Sequence, residues 1–151
     1  MRVSRMLPLV AILVFAVEIG GRFGVKAQQG CSAQSLFGPY AYSFRGVYIG
    51  DAFGDFFDFA ATGRFLADGN GGLSGADTVS NDEVITRGRQ YTGTYTINSD
   101  CTGSVIFKDS AGRTIANMDL VIAGTGNEVD LIESDQGTNI VGTAKQQILG
   151  Q

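Results

Sequence analysis

The chain has 151 residues, two cysteines, no histidine, no tryptophan and a formal net charge of −4. That length suits one domain, with or without a targeting segment. The missing imidazole excludes Ser-His-Asp and Cys-His catalysis and any histidine-ligated metal, while chemistry through carboxylates, Tyr, Lys or Arg survives.

Met1 to Ala27 is laid out as a secretory signal peptide. Arg2 and Arg5 precede an apolar run, Leu7 to Val17, that is short for a membrane span. Val25-Lys26-Ala27 sets small residues ahead of a cleavage point before Gln28, although the polar stretch Glu18 to Lys26 is long for such a leader. The expected layout is therefore a leader helix at 1–27 and a single barrel domain at 28–151, in the periplasm or outside the cell, with no span in the mature form. A lipid anchor on Cys31 is the rival, and Gln28-Gln29-Gly30 suits it poorly. Cleavage removes four of the 11 basic and one of the 15 acidic residues, leaving 7 and 14 and a net charge of −7. An acidic domain without a basic run argues against nucleic acid and anionic membranes as partners. In an oxidising compartment Cys31 and Cys101 read as one disulfide, against two free thiols.

Gln28 to Pro39 is polar and turn-like. Tyr40, Tyr42 and Phe44 then alternate with Ala41, Ser43 and Arg45, which predicts a first strand, and Gly46 to Asp55 reads as a loop or bulged crossing. From Phe56, residues Phe57, Phe59, Ala61, Gly63, Phe65 and Ala67 share one face of a second strand, and Asp58, Thr62 and Arg64 the other. Asp68-Gly69-Asn70-Gly71-Gly72 tolerates positive φ and turns the chain into a third strand, Leu73 to Ser80. Asn81-Asp82-Glu83 is a turn, and Thr86 to Asn98 a long fourth strand with Tyr91, Gly93, Tyr95 and Ile97 on one face and Thr92, Thr94 and Thr96 on the other. Further strands follow at Ser104 to Lys108, Thr114 to Ala123, Glu128 to Ser134 and Thr138 to Gln146. Sequential antiparallel strands leave two sheet edges, and closure removes both. The prediction is thus an all-β, eight-stranded antiparallel up-and-down barrel, with a two-sheet sandwich as the alternative. Strand glycines 63, 75, 93 and 142 suit tightly coiled strands.

Asp68-Gly69-Asn70-Gly71-Gly72 begins like a calcium loop, but the twelfth position, which needs a bidentate Glu, is Val79; a hairpin turn explains it, and no metal or cofactor is expected. Asp51, Asp55, Asp58, Asp77, Asp119 and Asp130 fall at turns or on polar strand parity, where solvation accounts for them. Glu133 differs, sharing parity with Val129 and Leu131, while Arg87 and Arg89 share parity with Tyr91 and Tyr95. If those faces are interior, an Arg89–Glu133 pair would orient a polar ligand. The strand aromatics either line a cavity or fill the barrel. Tyr48, Phe53 and Phe56 sit in or beside the Gly/Asp loop, which suggests a mouth or contact surface. The candidate binding set is therefore Tyr48, Phe53, Phe56, Arg89, Tyr91, Tyr95 and Glu133, with no catalytic residue singled out.

Gly38-Pro39-Tyr40, Ala60-Ala61-Thr62-Gly63-Arg64-Phe65, Ala67-Asp68-Gly69-Asn70-Gly71, Gly93-Thr94-Tyr95-Thr96 and Asp100-Cys101-Thr102-Gly103, with Cys31, resemble a group of small secreted bacterial all-β proteins of unknown function. The likeness spans about Cys31 to Lys145. It implies the same fold and a Cys31–Cys101 bridge, and it brings no activity to carry over. A looser architectural likeness joins the chain to calycin or lipocalin barrels and to allene-oxide-cyclase or dirigent barrels, which is analogy about shape alone. The readings in order are an exported, non-enzymatic barrel that binds a small apolar or aromatic ligand, an extracellular surface or matrix interaction module, and a cyclase or isomerase acting through a shaped cavity.

Overall fold

The structure of the protein is a computed structural model that describes residues 30–50 and 54–148. The expected leader, its cleavage point and Phe53 lie outside the described residues. Eight strands follow in order: β1 (Phe37–Ile49), β2 (Phe56–Asp68), β3 (Gly72–Asn81), β4 (Val84–Ile97), β5 (Thr102–Asp109), β6 (Thr114–Ala123), β7 (Glu128–Glu133) and β8 (Thr138–Gln146). Each pairs antiparallel with the next, and β8 pairs back onto β1 from Tyr40–Gln146 to Tyr48–Thr138. The sheet is a closed barrel without an edge, so the sandwich alternative is set aside.

The inward parity is the predicted one. Tyr40, Tyr42 and Phe44 of β1, Ala61, Phe65 and Ala67 of β2, and Tyr91 and Tyr95 of β4 are buried, and Thr92, Thr94 and Thr96 are exposed. Burying a side chain the size of Phe or Leu stabilises by about 2–3 kcal/mol, so the pattern itself supplies the drive to close the sheet.

Two expectations change. The chain does not leave the sheet at Gly46. β1 runs on to Ile49, with Gly46 opposite Phe59 on one side and Ile140 on the other. A Cβ at Gly46 would collide with the backbone of Asn139, so this glycine marks a close approach of β1 and β8 and not a turn. Tyr48 is therefore a strand residue. On β4, Gly88 at φ +66 forms a bulge, because Asp77 faces Arg89 while the next residue, Thr78, faces Arg87. The bulge reverses the parity, so Arg89 points inward and Arg87 is exposed, unlike the shared face its spacing predicted.

One end of the barrel is shut. A 3-10 turn, Ala33–Ser35, and the buried Leu36 lie across it. The Tyr95 hydroxyl reaches back to the Leu36 carbonyl at 2.8 Å and the Ala33 carbonyl at 3.2 Å. The Tyr40 hydroxyl donates to the Gly126 carbonyl at 2.7 Å. The Cys31–Cys101 disulfide ties this plug to the β4–β5 turn, closing a loop of sequence separation 70, and Cys31 N–H donates to the Ser99 carbonyl at 3.1 Å. Cys101 sits at φ +70, a conformation uncommon for a residue with a Cβ. Its N–H donates to Asn98 at 3.0 Å, its carbonyl accepts from Ile122 at 2.9 Å, and the Asp100 carboxylate holds both the N–H and the hydroxyl of Thr102.

Candidate functional site

The described residues leave the other end open. A cavity of about 490 Å³ lies there, toward the β3–β4, β5–β6 and β7–β8 connections. Tyr42, Phe44, Tyr48, Phe59, Tyr91 and Phe107 supply its aromatic walls, Met118 and Ile140 its aliphatic ones, and Asp77, Asn81, Arg89 and Glu133 its polar groups. Tyr42 and Tyr91 meet edge to face at 6.3 Å, as do Tyr91 and Phe107 at 5.5 Å. Tyr40 stacked on Phe65 at 5.1 Å, with Phe65 tilted against Tyr42 at 6.1 Å, separates the cavity from the plug. Glycine opposite these side chains makes the room. A Cβ at Gly142 would overlap the Phe44 ring, and one at Gly63 would stand 2.6 Å from the Asp77 Cβ.

Asp77 is the polar anchor, at 5 % exposure. Arg89 grips it in a two-point pair, Nε to Oδ1 at 3.0 Å and Nη2 to Oδ2 at 2.7 Å, and the Tyr42 hydroxyl donates to Oδ2 at 2.9 Å. A buried carboxylate needs such compensation, and a bidentate guanidinium is the strongest available. Burial first, and then the neighbouring Tyr91, push the Tyr42 phenol far above its ordinary range. Burial likewise raises Tyr91 to about 12, and its hydroxyl donates to the Arg64 carbonyl at 3.2 Å. The hydrogen bond to Asp77 holds Arg89 more firmly protonated than usual. These phenols are neutral donors and this guanidinium a fixed cation, so none of the three is a proton shuttle near neutrality.

Glu133 ends β7 on the inward parity and pairs with Met118 across to β6. Burial, with a lesser push from Asp135, raises its carboxyl to about 7. Among the described residues no ion pair reaches it. Asp135 is itself occupied, accepting from the Asn117 N–H at 2.9 Å and its side-chain amide at 2.7 Å. The expected Arg89–Glu133 pair does not form, because Asp77 takes the guanidinium.

Of the residues predicted from sequence, Tyr48, Arg89, Tyr91 and Glu133 come together on this cavity. Tyr48 donates to Asn81 at 2.7 Å and stacks on Phe57 at 5.4 Å. Tyr95 shares a strand face with Tyr91 but lies at the shut end, committed to the plug. Phe56 pairs with Ile49 at the rim, is 71 % exposed and does not line the cavity. Asp77, Asn81 and Phe107 belong to the site and were not singled out. Asp77 carried a readable signal, since it shares parity with Leu73 and Val79, both buried, and is not the solvated carboxylate expected. Among the described residues, no group of three His, Cys, Asp or Glu side chains is placed to hold a metal ion.

No protein-family model matches the chain, and no curated protein matches it. Among solved structures, the chain is similar to a de novo designed fluorescence-activating beta barrel, with 14% identity over 76% of this chain and 96% of that one and a TM-score of 0.49. It is also similar to a redesigned beta barrel bound to DFHBI, with 15% identity over 76% of this chain and 97% of that one and a TM-score of 0.47.

Proposed function

We propose that the protein is an exported barrel that takes up one small apolar or aromatic molecule and releases it unchanged. The observation that carries this reading is the cavity of about 490 Å³, walled by six aromatic side chains and furnished with a few fixed polar groups. Small-molecule sites are concave, mostly apolar and sparsely polar in this way. The leader-like residues 1–27 and the Cys31–Cys101 disulfide support export, since such bridges persist in oxidising compartments. The test is titration with N-phenylnaphthylamine, a neutral dye that brightens in apolar surroundings. The native protein is expected to enhance its fluorescence saturably. Ala116→Trp, which projects an indole into the cavity from a half-buried position, is expected to abolish that enhancement while keeping a cooperative melt. No enhancement in the native protein, or full enhancement in the folded variant, overturns the reading.

One observation favours a second reading. A carboxyl that titrates near 7 inside an aromatic cavity has the basicity wanted of a general base, as a cyclase or isomerase would require. Against it stands the commitment of Tyr42 and Arg89 to Asp77, which leaves Glu133 without a partner acid. Conversion of a bound ligand, lost in Glu133→Gln, would establish this second reading.

A further inference from the structure

Among the described residues, the cavity lining holds three ionisable groups of ordinary acid or base type, and two of them cancel. Asp77 and Arg89 neutralise each other through the two-point pair, and the Tyr42 hydroxyl completes the carboxylate's shell. What remains is the Glu133 carboxyl. The lining from β2, β5, β6 and β8 is uncharged, β1 contributes the phenols of Tyr42 and Tyr48, and β4 adds that of Tyr91. Beside Glu133 in the following turn, Asp135 adds negative charge and no compensation. A half-buried carboxylate without a counter-charge is costly, and an incoming anion would double the cost. An incoming cation removes it, and aromatic faces nearby attract cations as well.

We infer that the cavity selects a molecule carrying a protonated amine on an aromatic or aliphatic body, with Glu133 supplying the counter-charge at the mouth and the aromatic walls holding the body. This inference rests on the binding function proposed above and narrows it to a ligand class. The same reasoning disfavours free fatty acids and other carboxylates as occupants.

The experiment compares naphthylethylamine with its neutral isostere naphthylethanol by calorimetric titration. Three proteins are used: native, Glu133→Gln, and Glu128→Gln. Glu128 lies on the outer face at the shut end, paired with Lys145 at 3.4 Å, so its replacement controls for the acidity of the whole surface. At about pH 8 the native protein is expected to bind the amine on the order of tenfold tighter than the alcohol. Glu133→Gln is expected to erase that preference and Glu128→Gln to keep it. Between about pH 8 and about pH 6 a primary amine stays protonated while Glu133 gains its proton, so amine affinity falls in the native protein and stays level in Glu133→Gln. Equal binding of amine and alcohol by the native protein overturns this inference and leaves the binding function standing. A preference that survives in Glu133→Gln removes Glu133 as the recognising group and overturns it too. Binding of neither compound overturns the inference together with the reading beneath it.

Discussion

At the shut end Leu36, Tyr40, Val105 and Val129 are wholly buried, and every tyrosine hydroxyl there lands on a backbone carbonyl. At the open end the same inward parity carries Asp77, Arg89 and Glu133 around about 490 Å³ of space, and the hydroxyls of Tyr42 and Tyr48 land on side chains. Both halves obey one alternating pattern on the same eight strands. An eight-stranded barrel has a lumen that side chains can just fill or that holds one small ligand. Here it does each in turn. The difference lies outside the sheet and in residue type. A segment from before β1 folds over one end and is cross-linked there, and the charged inward positions gather at the other. Among the described residues, one end is packed and cross-linked and the other encloses space.

If the plug is what keeps the shut end shut, removing its cross-link should have the largest effect. Cys31→Ala with Cys101→Ala is expected to lower unfolding free energy by about 4 kcal/mol, the loop-closure value for a long loop, in guanidinium denaturation. Dye uptake at low temperature should persist, because the cavity lining lies at the other end; its loss would mean that the two ends are one unit. A smaller contrast uses two tyrosines. Tyr95→Phe strands the Leu36 carbonyl in a buried site and is expected to cost about 1–2 kcal/mol. Tyr48→Phe removes a hydroxyl whose partner, Asn81, is open to water, and is expected to cost less than about 0.5 kcal/mol. Equal losses in urea melts would erase the distinction between the ends.

The barrel was legible because parity is a local property. Tyr40, Tyr42 and Phe44, or Phe57, Phe59 and Phe65, declare a face without help from the rest of the chain. Two misreadings came from glycine. Gly46 looked like punctuation and is a point where β8 presses close, while Gly88 looked like one more strand residue and is the bulge that turns Arg87 out and leaves Arg89 in. Neither role is visible without the neighbouring strand. The partner of Arg89 was missed for a related reason. Register decides which carboxylate lies across from it, and Asp77 is directly opposite whereas Glu133 is three strands onward. Whether the interior was filled could not be read at all, since it depends on how Leu36 and the 3-10 turn dock from outside the sheet.

The finest contrast concerns charge at the mouth. Glu133 titrates near 7 in the folded protein, against an ordinary 4.5. Between those values the folded chain binds more protons than the unfolded one, so stability falls as pH rises through that window and is level above it. Because the group is half-exposed, solvent screening reduces the effect to about 1 kcal/mol. Glu133→Gln removes the proton difference. It should therefore gain on the native protein from about pH 5 to about pH 7 and keep a constant lead above that, as read from guanidinium melts across the range. Three aspartates shift the other way. Asp68, Asp100 and Asp109 are held below their ordinary range by hydrogen bonds, first from Asn70, Thr102 and Arg113 respectively, so they act only at more acidic pH and with the opposite sign. Parallel stability curves for native protein and variant would mean that water solvates Glu133 freely, and the Asp77–Arg89 pair would then be the charge that sets the mouth apart from the plug.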